Sequence, residues 1–180
     1  INTLSFKELQ KIRARIGMVF QFGALFDFMS VLRNVALPLK KLTDYSSEKI
    51  IELSEKALEE VGLEGVSHLM PSELSGGMKK RVGIARAIVA EPNYILYDEP
   101  TTGLDPIMTD SINKLIKKIH VDENLTSIIV THEMRTVHTV ADRVLFLDDG
   151  AIKYDGAPND MKNSDNKTIL QFLAGSSSLG

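Results

Sequence analysis

The chain has 180 residues, 43% of them hydrophobic, which is enough apolar material for one globular domain with a small subdomain. Its 21 basic and 24 acidic residues are mixed along the sequence and give a net charge of -3, so no chain-wide attraction to nucleic acid is expected. The absence of cysteine excludes disulfides, thiolate catalysis and cysteine-ligated metals, and it favours a reducing compartment such as the cytoplasm.

A first buried strand is predicted over residues 16–20, and it ends at the polar side chain of Gln21. The segment that follows, residues 22–39, is unusually apolar for a connection. Most of its side chains are expected in the core, while a few are candidates for an exposed groove that receives a partner. Pro38 limits how far a helix in this segment extends without bending.

Two helices are predicted from their serine caps, one over residues 46–61 and one that follows Ser75. After Ser75, Gly76 and Gly77 lack side chains and let another molecule approach the backbone. The N–H groups at such a helix start form an anion site, although a plain capped helix has the same sequence. The basic residues 79–81 are predicted to form a solvated face.

The stretch of residues 94–99 is predicted to form the centre of the sheet. Its four apolar residues indicate a fully buried parallel strand, and Asp98 and Glu99 follow at the carboxyl edge, where open α/β sheets bind ligands. Because strand side chains alternate, Asp98 is predicted to hold a hydrated magnesium ion and Glu99 to orient or deprotonate a water. An ordinary strand end with solvated acids is the alternative.

A further buried strand is predicted over residues 126–131, after a helix that Asp105 caps. Polar residues thus follow three predicted strands: Gln21, Asp98 with Glu99, and His132. If the strands are parallel, right-handed crossovers bring all three ends to one edge of the sheet. Later in the chain, Asp-Gly at residues 149–150 predicts a hairpin between two apolar runs.

Five short motifs together resemble those of the ATP-binding subunit of ABC transporters. They are Gln21 as the Q-loop glutamine, Leu74-Ser75-Gly76-Gly77-Met78 as the signature, residues 94–99 as the Walker B strand with its catalytic glutamate, Gly103-Leu104-Asp105 as the D-loop and His132 as the switch histidine. The resemblance implies an α/β P-loop NTPase (RecA-like) fold, with a mostly parallel sheet and helices on both faces. The catalytic core would comprise residues 1–30 and 91–180, and a helical subdomain carrying the signature would comprise residues 31–90.

The same resemblance implies that two copies of the chain bind two ATP molecules head to tail. Ser75, Gly76 and Gly77 of one copy would donate hydrogen bonds to the γ-phosphate held by the other copy. Asp105 would link the two sites across this homodimer, so hydrolysis would require the dimer.

Four residues would surround the reacting phosphate in the resembled family. Asp98 would act on Mg²⁺ through its water shell, and Gln21 would reach the same ion and the attacking water. Glu99 would polarise that water, and His132 would contact the γ-phosphate. ATP and Mg²⁺ are therefore the expected cofactors.

A closer resemblance links the chain to the Mla group, the ATPases that energise phospholipid movement with Mce-type lipid-binding partners. It is carried by residues 23–27, 74–81, 97–106 and 171–173. It implies phospholipid as the substrate, a membrane permease subunit that docks near residues 21–40, an Mce-type partner, and a position at the cytoplasmic face of a membrane.

One motif of the resembled family is absent from the 180 residues, the phosphate-binding Gly-x-x-x-x-Gly-Lys-Ser/Thr loop. Its backbone N–H groups and lysine supply the main grip on the β- and γ-phosphates, so this chain alone is expected to bind ATP poorly and to hydrolyse it negligibly. The strand that feeds the loop lies, in that fold, beside the strands that end at Asp98 and His132. We therefore expect either a longer protein, which the initial Ile1 also suggests, or an open strand edge hidden by unusual pairing or self-association.

Two other functions are compatible with the same motifs. An ABC ATPase of DNA repair, chromosome organisation or translation is disfavoured because the interval between Gln21 and Ser75 leaves no room for a long coiled coil, and because no basic groove is evident. A non-catalytic interaction module is favoured by the missing loop but disfavoured by the full set of downstream catalytic residues. A DNA-stimulated ATPase would support the first alternative, and a natural chain beginning at Ile1 would support the second.

Overall fold

The computed structural model describes residues 3–174. The chain divides into two compact units, Ile1–Thr131 and His132–Gly180, which are described separately. Residues 1–2 and 175–180, at the two ends of the predicted catalytic core, lie outside the described residues.

The first unit contains a parallel sheet, as the resemblance implies, and its strand order is β1-β2-β3. The strands are β1 (Ile16–Val19), β2 (Tyr94–Asp98) and β3 (Thr126–Val130). The helices of this unit are α1 (Phe6–Arg13), α2 (Val31–Leu42), α3 (Ser47–Glu60), α4 (Gly76–Ile88) and α5 (Pro106–Asp122), with a 3-10 turn at Pro71–Glu73. Because all three strands run in the same direction, their carboxyl ends lie at one edge, with Val19 beside Tyr97 and Asp98 beside Val130.

Side-chain caps begin the helices at the predicted positions. The Ser46 hydroxyl accepts the N–H of Lys49 at 3.3 Å and so begins α3. Pro38 lies inside α2, which continues beyond it to Leu42.

No helix among residues 3–174 is both long and apolar enough to cross a membrane.

Strands β1 and β2 are buried on one face only, and no residue of β3 is fully buried. Gly17, Val19, Ile95 and Tyr97 are buried, whereas the side chains that alternate with them are exposed or half-buried. On the exposed face lie Ile16, Met18, Tyr94, Ile128 at 62% exposure and Val130 at 61%. The prediction of fully buried strands was therefore wrong for all three, because within the described residues helices cover a single face.

The outer edge of β3 pairs with no strand among residues 3–174. The strand expected upstream was placed beside the strands that end at Asp98 and His132. Within the described residues, β2 pairs with β1 on one side and with β3 on the other, so the unpaired edges of this sheet are those of β1 and β3. The place of the expected upstream strand stays a prediction.

Helix α4 is buried on most of its circumference and packs against α2, α3, α5 and β1. The contact with β1 is very close, since a Cβ atom added at Gly17 would lie 2.5 Å from the carbonyl oxygen of Ala87. Because α2, α3 and α4 pack on one another while α4 also lies on the sheet, α4 joins the helices to the strands. The separation of residues 31–90 as a subdomain stays a prediction.

The second unit contains α6 (Met134–Val140), a 3-10 segment at Pro158–Asn163, α7 (Lys167–Ala174) and a two-stranded hairpin. The hairpin pairs β4 (Val144–Asp148) with β5 (Ala151–Gly156) in antiparallel register. Its turn residues Asp149 and Gly150 have φ angles of 48° and 69°, the left-handed values that a tight hairpin turn requires. The hairpin prediction is therefore confirmed.

The close packing of α4 on β1 predicts the effect of one methyl group. Gly17→Ala should lower the free energy of unfolding by about 1–3 kcal/mol, because the new methyl group must displace backbone rather than a flexible side chain. Gly76→Ala is the matched control, since its Cβ atom would lie 3.9 Å from its nearest neighbour, Leu104. Urea denaturation measures both, and equal stability of the two variants would contradict the prediction.

Candidate functional site

Three of the predicted site residues lie at the carboxyl edge of the sheet. Gln21 follows the end of β1 by two residues, Asp98 is the last residue of β2, and Glu99 comes directly after it. All three side chains are half-buried, so they are held by the fold and still reach solvent. Asp98 pairs in register with Val130, which places its side chain on the exposed face of the sheet.

Glu99 is held in an unusual backbone conformation. Its φ angle is 46°, in the left-handed region that non-glycine residues seldom adopt. Its N–H donates to the carbonyl of Val130 at 2.9 Å, which extends the pairing with β3 by one residue. The carboxylate oxygen Oε2 accepts from the Thr102 hydroxyl at 2.9 Å and from the Thr131 hydroxyl at 3.3 Å. The carboxylate is therefore oriented from two sides, and such backbone strain is typical of functional sites.

Lys80 connects the end of β1 to the end of β2. Its side chain is 4% exposed, and its Nζ donates to the carbonyl of Gln21 and, at 3.2 Å, to the carbonyl of Glu99. Burial lowers the pKa of Lys80, and the negative charge of Glu99 opposes that shift. The prediction of a solvated basic face was wrong for Lys80, because the helix turns this residue toward the strand ends.

Arg81 departs from the predicted solvated face as well. It donates to the carbonyl of Val61 and, at 2.8 Å, to the Ser111 hydroxyl. The side chain thus reaches from α4 to the end of α3 and to α5, and it contributes to the packing of these helices.

The turn after Gln21 rests on α4. Gly23 has a φ angle of 76°, and its Cα lies 3.3 Å from where a Cβ atom at Gly83 would be. Arg86 donates to the carbonyls of Gly23 and Ala24 at 2.6 and 2.8 Å, and burial lowers the pKa of Arg86. The position of this turn therefore depends on the position of α4.

The Ser-Gly-Gly sequence forms the start of α4, as predicted. The Ser75 hydroxyl accepts the N–H of Met78 at 3.3 Å, and both Ser75 and Gly76 are exposed. A Cβ atom at Gly76 would lie 3.9 Å from Leu104, so packing does not demand glycine there. At Gly77 the same atom would lie 2.2 Å from the end of the Met108 side chain. The exposed N–H end of α4 is the kind of surface that binds an anion.

Asp105 begins α5 as expected. Its Oδ1 accepts the N–H groups of Ile107 and Met108 at 2.8 and 3.0 Å, and Pro106 occupies the first helical position. The residue is exposed, so it is accessible to a second copy. Its predicted role across a dimer stays a prediction.

His132 is the first residue of the second unit and is exposed. It directly follows Thr131, whose hydroxyl contacts Glu99. Its predicted convergence with Gln21, Asp98 and Glu99 stays a prediction.

An apolar groove of about 380 Å³ opens beside the segment that follows Gln21. It is lined by Phe28, Ser30, Leu32, Arg33, Ser67, His68 and Met70. Near it, Phe22 and Phe28 are each 73% exposed and Phe26 is 41% exposed. These three aromatic residues lie outside the core, as was expected for a few residues of the segment 22–39.

The shape of this aromatic segment is set by Asn34, which is fully buried in α2. Its Nδ2 donates to the carbonyls of Phe26, Met29 and Ser30 at 3.1 Å, and its Oδ1 accepts the N–H of Phe26 at 2.8 Å. A single amide therefore satisfies several backbone groups of an irregular loop. The loop held in this way presents the phenylalanine rings to solvent.

The chemistry of the strand ends fits Mg²⁺ bound together with a phosphate ligand. No group of three His, Cys, Asp or Glu side chains among residues 3–174 could hold a metal ion by itself. Mg²⁺ is commonly held by one or two carboxylates and by the phosphates of its substrate. The half-buried Asp98, at the carboxyl edge of the sheet, fits the role of such a single carboxylate.

Sequence reasoning missed Lys80, Thr102 and Thr131. A partial signal for Lys80 was available, because α4 contains apolar or small residues at most of its other positions, which favours burial of much of the helix. No local signal marks the two threonines, since their contacts with Glu99 depend on how separate loops meet at the strand ends.

The family model described as ABC transporter matches residues 1–102 of this chain. The chain is similar to the ATP-binding protein MlaF of the Haemophilus influenzae intermembrane phospholipid transport system, at 42% identity over 177 residues. It is also similar to the methionine import ATP-binding protein MetN of Carboxydothermus hydrogenoformans, at 45% identity over 161 residues. These alignments cover 98% and 89% of this chain, 67% of MlaF and 48% of MetN.

Among solved structures, the chain resembles a dimeric ATP-binding cassette in a post-hydrolysis state bound to ADP and phosphate. The TM-score is 0.77 at 34% sequence identity, over 87% of this chain and 69% of that chain. The chain thus spans about two thirds of this cassette and of MlaF, and about half of MetN.

Proposed function

This chain belongs to the ABC transporter family, and we propose that the full protein is an ATP-binding subunit that hydrolyses ATP in a dimer to drive transport. The proposal rests mainly on Glu99, whose carboxylate is oriented by two threonine hydroxyls at the carboxyl edge of the sheet, beside the end of the strand that leads to Gln21. A carboxylate held in this way is suited to accept a proton from an attacking water.

Gln21 and Asp98 would hold Mg²⁺ and with it the β- and γ-phosphates of ATP. The ion supplies charge neutralisation at the transferring phosphate when bound. Glu99 orients the water and accepts its proton, and His132 holds the γ-phosphate. The residues of this chain thus provide the water-activating half of the site, while the main grip on the phosphates is expected from a phosphate-binding loop outside the 180 residues.

The second half of each site would come from another copy of the chain. Ser75 and Gly76 are exposed at the start of α4, where the helix dipole favours a negative charge, and the buried Gly77 follows them. A dimeric arrangement is known for the similar cassette structure, which supports this assignment. Asp105, exposed at the start of α5, would contact the partner copy and so couple the two sites.

Glu99→Gln in the full-length protein should reduce ATP hydrolysis by roughly a thousandfold or more, because the amide cannot accept the proton of water. The amide still accepts hydrogen bonds, so ATP binding should persist and an ATP-bound dimer should accumulate. Hydrolysis is measured by phosphate release, and the dimer by size-exclusion chromatography with ATP. Glu91→Gln, at an exposed turn, is the matched control. Normal turnover of Glu99→Gln would contradict the assignment, and no hydrolysis by the wild type would favour a non-catalytic interaction module.

The apolar groove near residues 21–40 is the proposed docking surface for the membrane permease subunit. Exposed phenylalanines beside an apolar groove are typical of a protein interface. The segment begins directly after Gln21, so movement of the partner would reach the Q-loop glutamine through the connecting backbone. We therefore propose that the full protein works at the cytoplasmic face of a membrane.

Phe28→Ser should weaken the complex with the permease subunit by roughly tenfold or more, because an aromatic anchor is lost from the groove. Phe6→Ser is the matched control, since Phe6 has the same 73% exposure but lies in α1. The measurement is the amount of permease that co-purifies with each full-length variant. Equal loss for both variants, or none for either, would contradict the docking assignment.

Phospholipid is the proposed substrate, and an Mce-type lipid-binding protein the proposed further partner. The support is the similarity to MlaF along 98% of the chain, although the similarity to MetN is of the same size. The nucleotide chemistry is common to both groups, so the substrate is determined by the membrane partner.

The purified complex of full-length ATPase and its permease, reconstituted in vesicles, should move a fluorescent phospholipid when ATP is added. Radiolabelled methionine, tested in the same vesicles, should not accumulate. Glu99→Gln provides the control for ATP dependence and should abolish lipid movement. Methionine accumulation without lipid movement would reassign the substrate and leave the ATPase assignment intact.

A further inference from the structure

We propose that Lys80 is a positioning residue for hydrolysis. It fixes the catalytic carboxylate of Glu99 relative to Gln21 by donating hydrogen bonds to the backbone carbonyls of both residues. The inference rests on the proposed ATPase function and goes beyond it, because none of the roles that the family resemblance implies is assigned to Lys80. Its Nζ contacts the backbone carbonyls of Gln21 and Glu99 and not their side chains.

The ammonium group of Lys80 is nearly surrounded by parts of the candidate site. Its Nζ donates to the carbonyl oxygens of Gln21 and Glu99, and it lies 5.9 Å from the centre of the Phe22 ring. At 4% exposure, the residue has little access to water that could replace these partners. The two strand ends are therefore bridged by one charged group.

A charged lysine is well suited to this bridge. Hydrogen bonds from an ammonium group are stronger than those between neutral groups, and backbone carbonyls are acceptors that do not titrate. The nearby charge of Glu99 helps to keep the lysine protonated against the cost of burial. A neutral residue of the same length would leave two carbonyls at the strand ends without this donor.

The bridge bears directly on the strained conformation of Glu99. The φ angle of 46° is unfavourable for a residue with a side chain, and it persists only where neighbouring groups impose it. The Val130 carbonyl holds the N–H of Glu99, and Lys80 holds its carbonyl. Both backbone polar groups of Glu99 are thus fixed, and the carboxylate is directed toward Thr102 and Thr131.

Lys80 should therefore affect the rate of the chemical step more than the binding of ATP. Gln21 and Glu99 meet around the attacking water in the proposed mechanism, and a displacement of about 1 Å between reacting groups lowers rates by roughly a hundredfold. ATP affinity depends mainly on phosphate contacts that Lys80 does not make.

The test is Lys80→Met in the full-length protein, with Lys79→Met as the matched control on the adjacent position of α4. Met has nearly the length of Lys but no N–H donor. We expect kcat for ATP hydrolysis to fall on the order of tenfold to a hundredfold, with KM for ATP changed less than about threefold. The control should retain both constants, and thermal melts should show both variants folded at the assay temperature.

A second measurement asks whether Lys80 acts through Glu99. In the Glu99→Gln background, Lys80→Met should reduce the residual single-turnover rate by less than about twofold, because the carboxylate that Lys80 positions is already gone. A full additional loss would show an independent role and would overturn the inference.

The remaining outcomes are also decisive. An unchanged kcat for folded Lys80→Met would overturn the inference while wild-type hydrolysis kept the proposed function intact. An absence of wild-type hydrolysis would overturn both. If Lys80→Met does not fold, Lys80→Leu, which also lacks an N–H donor, takes its place with the same expected loss, and failure of both variants to fold would assign Lys80 a purely structural role.

Discussion

The buried ammonium group of Lys80 joins the two strand ends on which the candidate site depends. Burial of a charge costs free energy, and here the cost is offset by carbonyl acceptors and by the nearby carboxylate of Glu99. The pairing of β1 with β2 ends at Val19, and Lys80 is the contact that joins the carbonyl of Gln21 directly to that of Glu99. The relative position of the two residues therefore depends on α4, the helix that carries Lys80.

Helix α4 has two roles along its length. Its exposed first turn, at Ser75 and Gly76, is the proposed contact with the nucleotide of a second copy. Further along, Lys80 and Arg86 hold the segment that follows β1. Because a helix of this size behaves as a stiff rod, displacement of one end moves the other. Binding of a second copy at the first turn of α4 would thus shift the ends of β1 and β2 that Lys80 contacts.

The same helix relates the site to the apolar groove. Arg86 holds the carbonyls of Gly23 and Ala24, and Asn34 shapes the loop just beyond them. The aromatic residues exposed there are therefore presented by buried polar groups rather than by a flexible loop. In the proposed transporter subunit, this gives a continuous path of direct contacts from the docking surface through the turn after Gln21 to Glu99.

Much of the fold and of the site was already encoded in local sequence patterns. Short apolar runs, helical patterning, Ser46, Ser75 and Asp105 as caps, and the Asp-Gly turn predicted the strands, the helices and the hairpin, because these depend on neighbours along the chain. The order of motifs indicated the family, and the strand ends indicated where Gln21, Asp98 and Glu99 would lie. Their roles with nucleotide remain proposals.

Only the tertiary structure decided which groups surround those residues. It showed that the sheet is covered on one face, that Lys80 is buried, and that Thr102 and Thr131 hold the Glu99 carboxylate. The sequence of a basic run does not show whether it lies on a solvated face or in a packed interface. That depends on which other part of the chain packs against it. Burial and long-range hydrogen bonds are properties of that packing, so local patterns do not specify them.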